Sequence, residues 1–392
     1  MSTLFWTEFL DMKILHACLS SFFIDDRSYQ ENELVRENAK QGHDVLVLAS
    51  THIHDETGKR AYCEPGEYQT AEGTRVIRLP YHPRIPKRLA PSLRYYRGVY
   101  KIIEDFQPDV ILFHGICAGE IATFARYHRN NPDVVLYADT HTDFINSARG
   151  FVSKWGLHYL FYRPVILRAL PEIKKVLSIT QMTTDFAHDF YGIPKQKIEF
   201  FPLGGHPLAD KTYTQKRDTA RKALGIGEKQ IVFIQSGKQN ASKKLLVSLK
   251  AFLETADPSF RFLIVGIIMD DIRQEAEALI ASDTRIDHLG WKSPQELEDL
   301  LCASDVYLQP GSQSSTMQTA VCCRCAVILE DLVSLRSYVD GNGWMLGDPS
   351  ELLPVLKSIS DDTAELRAKQ DRSTQLAVEV LDYSKISQRI LK

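Results

Sequence analysis

Short apolar runs bounded by turn residues recur along the whole chain, and segments of helical length lie between them. In the first half the runs predict strands at 12–18, 44–50, 75–81, 109–115, 134–140, 175–180 and 198–204. Several are continuous Val, Ile and Leu stretches without polar alternation, the pattern of parallel strands covered on both faces by helices. A polar stretch from Pro207 to Lys229 breaks the rhythm, and a second series follows at 231–237, 260–266, 285–291, 305–311 and 326–331. The expected fold class is α/β, with two Rossmann-like doubly wound domains. Residues 1–206, completed by a closing helix at 375–392, form the first, and residues 207–374 the second. Ligands of open α/β sheets sit at the carboxyl ends of the strands. The site is therefore expected in a cleft across which the two domains face each other.

The chain has 392 residues, of which 44% are hydrophobic and 25% charged, enough apolar material for two cores. Its net charge of -3 gives no global attraction to nucleic acid. Seven cysteines, at 18, 63, 117, 302, 322, 323 and 325, are odd in number and irregularly spaced, which fits a reducing compartment better than a disulfide framework. Cys322, Cys323 and Cys325 have no second cluster at zinc-ligand spacing, so no metal is expected and they read as small buried residues. Residues 1–11 contain Glu8 and Asp11 and carry no basic region or apolar run of a signal peptide. No later segment reaches transmembrane length. The expected location is the cytoplasm, including the inner face of a membrane.

The most informative segment is Ile231 to Phe252, where a buried strand runs into Ser236-Gly237-Lys238, a polar loop reaches Lys243-Lys244, and a helix ends Lys250-Ala251-Phe252. Two cations five positions apart on a loop at a strand's carboxyl end can converge on a diphosphate and neutralise charge as a leaving group departs. A solvated loop is the alternative for these lysines. The segment resembles the second-domain opening of the retaining GT-B glycosyltransferases of the large family four. There the strand leads into Gly-Arg-Leu and then Lys-Gly; Lys238 stands where the arginine is usual, and Lys243 matches the lysine. Ile286 to Trp291, Ser293-Pro294-Gln295-Glu296-Leu297 and Ala303 to Pro310 continue the likeness in order. Ser293 and Glu296 read as a capping box. The turn at Gly290 and Trp291 lies where the family binds the nucleotide base, so Trp291 either borders the base or belongs to the core.

At Pro310 to Ala320 the chain departs from the family pattern, because both of the family's glutamates are absent. Thr319 stands where the second holds the ribose hydroxyls, and Gln313 or Ser312 lies nearest the first. The loop still offers Ser312, Ser314, Ser315 and Thr316 and the amino end of a helix to phosphate. In the first domain, Met12 to His16 and Gln41 to Val45 are similar to the family's first strand and the turn after its first helix. Ser28-Tyr29-Gln30-Glu31-Asn32 resembles a surface-polysaccharide branch. The strand ending at Thr140 leads into His141-Thr142-Asp143, where the family keeps a histidine near the transferred sugar; Asp143 is a candidate for an acceptor hydroxyl.

Taken together, the resemblance implies a metal-independent retaining transferase that uses a UDP or GDP type nucleotide sugar and no other cofactor. His141, Lys238, Lys243 and Gln313 carry the chemistry, and Gly237, Lys238, Lys243, Trp291, Ser312, Ser314, Ser315, Thr316 and Thr319 hold the donor. A glycan or a lipid-linked molecule is the implied acceptor, in polysaccharide biosynthesis. Residues 84–101 and 149–168 mix basic and aromatic residues, the composition of helices on an anionic membrane or of ordinary helices with a core-facing stripe. The missing glutamates keep a second reading open, a catalytically silent member of the same fold acting as a scaffold. A dehydrogenase is disfavoured, since Cys18-Leu19-Ser20-Ser21 replaces the glycine-rich turn after the first strand.

Overall fold

The structure, a computed structural model, describes residues 11–25, 27–55 and 59–391. The leader expected at 1–11 lies outside them apart from Asp11. The chain divides into two units, Met1–Pro202 with Tyr383–Lys392, and Leu203–Asp382.

Unit 1 is built on strands β1 (Lys13–Cys18), β2 (Asp44–Ser50), β5 (Gly66–Gln69), β6 (Arg75–Leu79), β7 (Val110–Phe113), β8 (Val135–Thr140), β9 (Val176–Ser178) and β10 (Ile198–Phe200), with β3 (His52–His54) and β4 (Arg60–Tyr62) as a separate ribbon. The sheet order is β10-β9-β8-β7-β1-β2-β6-β5, parallel except for β5 against β6. Successive residues of β1 and β2 enter opposite cores: Leu15, Ala17, Leu46 and Leu48 join one, and Ile14, Cys18, Val45 and Val47 the other. Both faces are covered, which is why these strands show no polar alternation.

Unit 2 has β11 (Ile231–Ser236), β12 (Phe260–Val265), β13 (Ile286–His288), β14 (Val306–Gln309), β15 (Ala326–Glu330) and β16 (Gly343–Leu346), all parallel in the order β13-β12-β11-β14-β15-β16. Its core gathers Phe233, Phe260, Phe262, Ile264, Leu308 and Ile328 under the helix Leu245–Glu254. The expected capping box is present, with Ser293 Oγ accepting from the Glu296 amide and Glu296 Oε2 from the Ser293 amide.

Three expectations need correction. The polar stretch 207–229 is not an interruption but contains a helix, Asp210–Ala223. It docks through charge: Arg217 and Arg221 reach Asp305 at 2.6 and 3.3 Å, and Asp305 also accepts the Val232 amide. Strands β3, β4, β5 and β16 were not anticipated, being short and, for β4 and β5, largely exposed. The unit boundaries also differ from 206/207 and 374/375. The Leu203 amide donates to the Tyr338 hydroxyl and the Gly205 amide to the Leu381 carbonyl, while Ser373 Oγ holds the Cys325 carbonyl. The chain rejoins unit 1 only at Tyr383, where Gln41 Nε2 donates to the Ser384 carbonyl and Arg389 pairs with Glu199.

Candidate functional site

In each unit the strand order reverses once, and an open α/β sheet offers its ligand crevice at the carboxyl end of that switch point. In unit 2 the switch lies between β11 and β14. The two loops that leave these strands, 237–244 and 310–315, are the segments singled out by sequence, and the fold brings them together. Ser312 donates its amide to the Ser242 carbonyl at 2.9 Å. Gly311 makes the approach possible, since a Cβ there would lie 2.3 Å from Ser242 O. Lys243 Nζ donates to the Ser312 and Gln313 carbonyls at 2.9 and 2.7 Å. Its three-donor ammonium keeps one N–H beyond those two. Burial lowers the Lys243 pKa, and among the described residues no carboxylate pairs with this ammonium, so an incoming anion finds it uncompensated by them. Neighbouring Lys244, by contrast, is paired with Glu330 at 2.6 Å.

Gly237 has φ +115, a conformation glycine takes without strain. Gly266 packs against it so closely that a Cβ would fall 1.9 Å from the Gly237 carbonyl oxygen. Lys238 is exposed just beyond, and Gln313 and Ser315 are exposed on the facing loop, with Ser312, Ser314, Thr316 and Thr319 half-buried. Trp291 is 65% exposed, which removes the core alternative for it. Two further exposed apolar side chains, Ile267 and Met269, flank Gln239 through backbone bonds to their loop, and sequence reading passed over them. Gln239 itself is fully buried with its Nε2 unpartnered. The helix that follows the 310–315 loop, Thr316–Cys322, has no side-chain cap. All the cysteines are free, and all but Cys63 are buried.

In unit 1 the switch lies between β1 and β7. A chain of polar groups crosses it below the surface. His16 Nε2 donates to Asn38 Oδ1 at 3.0 Å, so its Nδ1 must accept, here from His114 Nε2 at 3.0 Å. His114 Nδ1 in turn donates to Asp139 Oδ2 at 2.6 Å. Burial opposes charge on all three, and it takes the His16 pKa down to about 3. For the other two the mutual attraction prevails: His114 is held above its usual value and Asp139 below. Charge at this centre is therefore favoured on His114 and Asp139 and disfavoured on His16. Asp139 Oδ1 accepts the Gly115 amide and lies 3.6 Å from Nε2 of His141, which is half-buried at the end of β8. His141 was legible from sequence; the groups that back it were not. Asp143 spends Oδ1 on the amides of Ile145 and Asn146, which makes it the anchor of a turn.

Residues 84–101 are only partly turned inward, since Arg84, Lys87, Arg88, Leu89 and Arg97 are exposed. Arg94 is drawn inward, donating to Ser20 Oγ at 2.8 Å and the Cys117 carbonyl at 3.0 Å, and so ties together the two loops of the unit 1 switch point. Lys101 is paired with Asp105, and Tyr96 is buried with its hydroxyl on the Leu19 carbonyl. The stretch lines a cavity of about 620 Å³ whose other walls include Glu104, Glu120 and Arg126. Among the described residues no helix is long and apolar enough to cross a membrane.

Residues 32–204 match the model of Glycosyltransferase Family 4. No curated protein sequence matches the chain. Among solved structures, Alr3699/HepE of Anabaena, crystallised with UDP, is 14% identical with a TM-score of 0.63 over 97% of this chain and 98% of its own. The sucrose-phosphate synthase of Thermosynechococcus elongatus is 15% identical with a TM-score of 0.62 over 97% of each chain. WaaG, a glycosyltransferase of lipopolysaccharide biosynthesis, is 15% identical with a TM-score of 0.60 over 96% of this chain and 99% of its own. Over residues 32–204 the chain is thus similar to Glycosyltransferase Family 4, and the chain as a whole has the GT-B fold of two Rossmann-like units.

Proposed function

We propose that the protein is a retaining, metal-independent glycosyltransferase that moves a sugar from a nucleoside diphosphate sugar to a glycan or lipid-linked acceptor in polysaccharide biosynthesis. The observation that carries this reading is the joining of the 237–244 and 310–315 loops at the switch point of unit 2, with Lys243 between them. Lys243 and exposed Lys238 neutralise the diphosphate and stabilise it as leaving group, work that needs no metal when two cations are present. The 312–316 loop holds phosphate and sugar, Thr319 the ribose, and the apolar rim of Trp291, Ile267 and Met269 the base. His141, backed by Asp139, takes the sugar side. Support for the donor comes from the Anabaena neighbour, solved with UDP and with UDP-glucose. Support for a surface glycan or lipid-linked acceptor comes from WaaG.

The absent glutamates favour a second reading, a silent nucleotide-binding scaffold, and one experiment separates the two. A panel of UDP and GDP sugars is offered with oligosaccharide and lipid-linked acceptors, with and without EDTA, and the product anomer is read by NMR. Transfer that persists in EDTA with the donor's anomeric configuration is expected. Gln313→Ala should bind the nucleotide as the parent does while losing most transfer, because a group that poses the sugar acts on turnover. A parent that binds nucleotides yet transfers to nothing would establish the scaffold.

A further inference from the structure

The loop and helix that follow β8 expose more apolar surface than any other part of the described chain. Phe151 is 80% exposed, Val152 79%, Leu160 71% and Ile145 63%, and Phe144, Trp155 and Tyr159 are also exposed. The helix Val152–Tyr162 is wound with i→i+5 bonds. Its opposite face is anchored in unit 1: His158 and Tyr162 are buried, with His158 Nδ1 on the Tyr191 hydroxyl at 2.5 Å. The exposed side chains are therefore held outward by a fixed base.

Charge on this element is of one sign. From 144 to 171 the sequence carries Arg149, Lys154, Arg163 and Arg168 and no Asp or Glu. The cations lie along the aromatic rings, Lys154 Nζ 4.7 Å from the Phe144 ring and 5.3 Å from Trp155, and Arg163 5.1 Å from Tyr159. Two of the bordering acids are occupied, and the third, Asp189, is exposed. Asp143 holds two amides, Glu172 pairs with Arg129 and His128, and Asp189 stands 3.9 Å from His188. Aliphatic tips in front, Trp and Tyr behind and cations beside them are the chemistry of a lipid interface.

We propose that residues 144–163 are a lipid-facing element that inserts Phe151, Val152 and Leu160 into the surface of an anionic bilayer. A second copy of the chain fits this face less well, because a two-fold contact would set the same row of cations against itself, whereas anionic headgroups neutralise it. The element begins beside the candidate site, since Asn146 Nδ2 donates to the His141 carbonyl. Docking would thus bring the end of β8 to the headgroup level, where a lipid-linked acceptor presents its sugar. That last step rests on the proposed transferase reading; the lipid contact does not.

Flotation of the full chain with vesicles of phosphatidylcholine alone, or mixed with phosphatidylglycerol, tests this. The parent is expected to float with the anionic vesicles and not the neutral ones. Phe151→Ser with Leu160→Ser should cut the bound fraction about tenfold or more, because burial of each side chain is lost. Arg149→Gln with Arg168→Gln should weaken binding several-fold in low salt. All four side chains are exposed in the free protein, so melting temperature and UDP titration serve as controls and should not change. No flotation, equal flotation on both vesicle types, or flotation indifferent to the apolar pair overturns the proposal. So does a dimer on size-exclusion chromatography that the apolar pair abolishes while vesicles stay unbound. Vesicle binding with no nucleotide binding in the parent would leave this proposal standing and remove the donor reading.

Discussion

Asp139 is fully buried, and its charge is balanced there by His114 rather than by water. Below the ordinary carboxylate range the pair loses its anion, and above the raised value of His114 it loses its cation. Its stabilisation is therefore present between these limits and falls away as pH drops through the lowered Asp139 pKa or rises through the raised His114 pKa. Replacing Asp139 by Asn leaves the His114 charge without a partner, and breaking a buried pair in this way costs about 3–5 kcal/mol. Urea unfolding of Asp139→Asn across pH should show a loss of this order near neutrality and a flatter pH profile; a variant as stable as the parent would mean that the pair is not charged. At this scale legibility depended on separation. Lys238 and Lys243 share one loop and could be read as a unit. Asn38, His16, His114 and Asp139 are brought together by parallel register, with His16 opposite Leu112 and Ala138 opposite Phe113, and nothing in their spacing announces it. Arg94 misled for a related reason: a basic residue among tyrosines reads as surface until its partners Ser20 and Cys117 are known.

Strands with both faces covered announced themselves through continuous apolar runs, so the central strands of both sheets were placed from sequence. Elements held by polar contacts were not. The helix Asp210–Ala223 has a single buried residue, Arg221, and its attachment runs through Asp305 on the strand side. Asp305→Ala should leave the Arg221 guanidinium buried without its anion and destabilise unit 2 by about 3–5 kcal/mol. The measurement is urea unfolding followed by amide exchange, in which protection should fall first in 210–223 and 231–236. Protection that falls evenly, or not at all, would mean that the helix is held by other contacts. The same contrast applies to the two basic aromatic stretches, alike in composition. Residues 84–101 turn Tyr96 and Arg94 inward and leave Leu89 and Arg97 exposed, while 144–163 bury Tyr162 and turn Phe151, Val152 and Leu160 out.

For the whole molecule, the two sheets were legible because each is a run of buried parallel strands, and the switch points follow from strand order alone. The Family 4 match lies within unit 1, apart from its last two residues, whereas the proposed donor loops lie in unit 2, where the chain shares the fold of its neighbours. The central claim, that a nucleoside diphosphate binds between the 237–244 and 310–315 loops, is thus the one with most to lose. A calorimetric titration of UDP and GDP into the parent and into Lys243→Ala tests it directly. One nucleotide should bind the parent at a single site, and the variant should bind it about tenfold or more weakly, as expected when a charge-assisted contact worth roughly 1.5–3 kcal/mol is removed. A parent that binds neither nucleotide, or a variant that binds as tightly as the parent, would contradict the account.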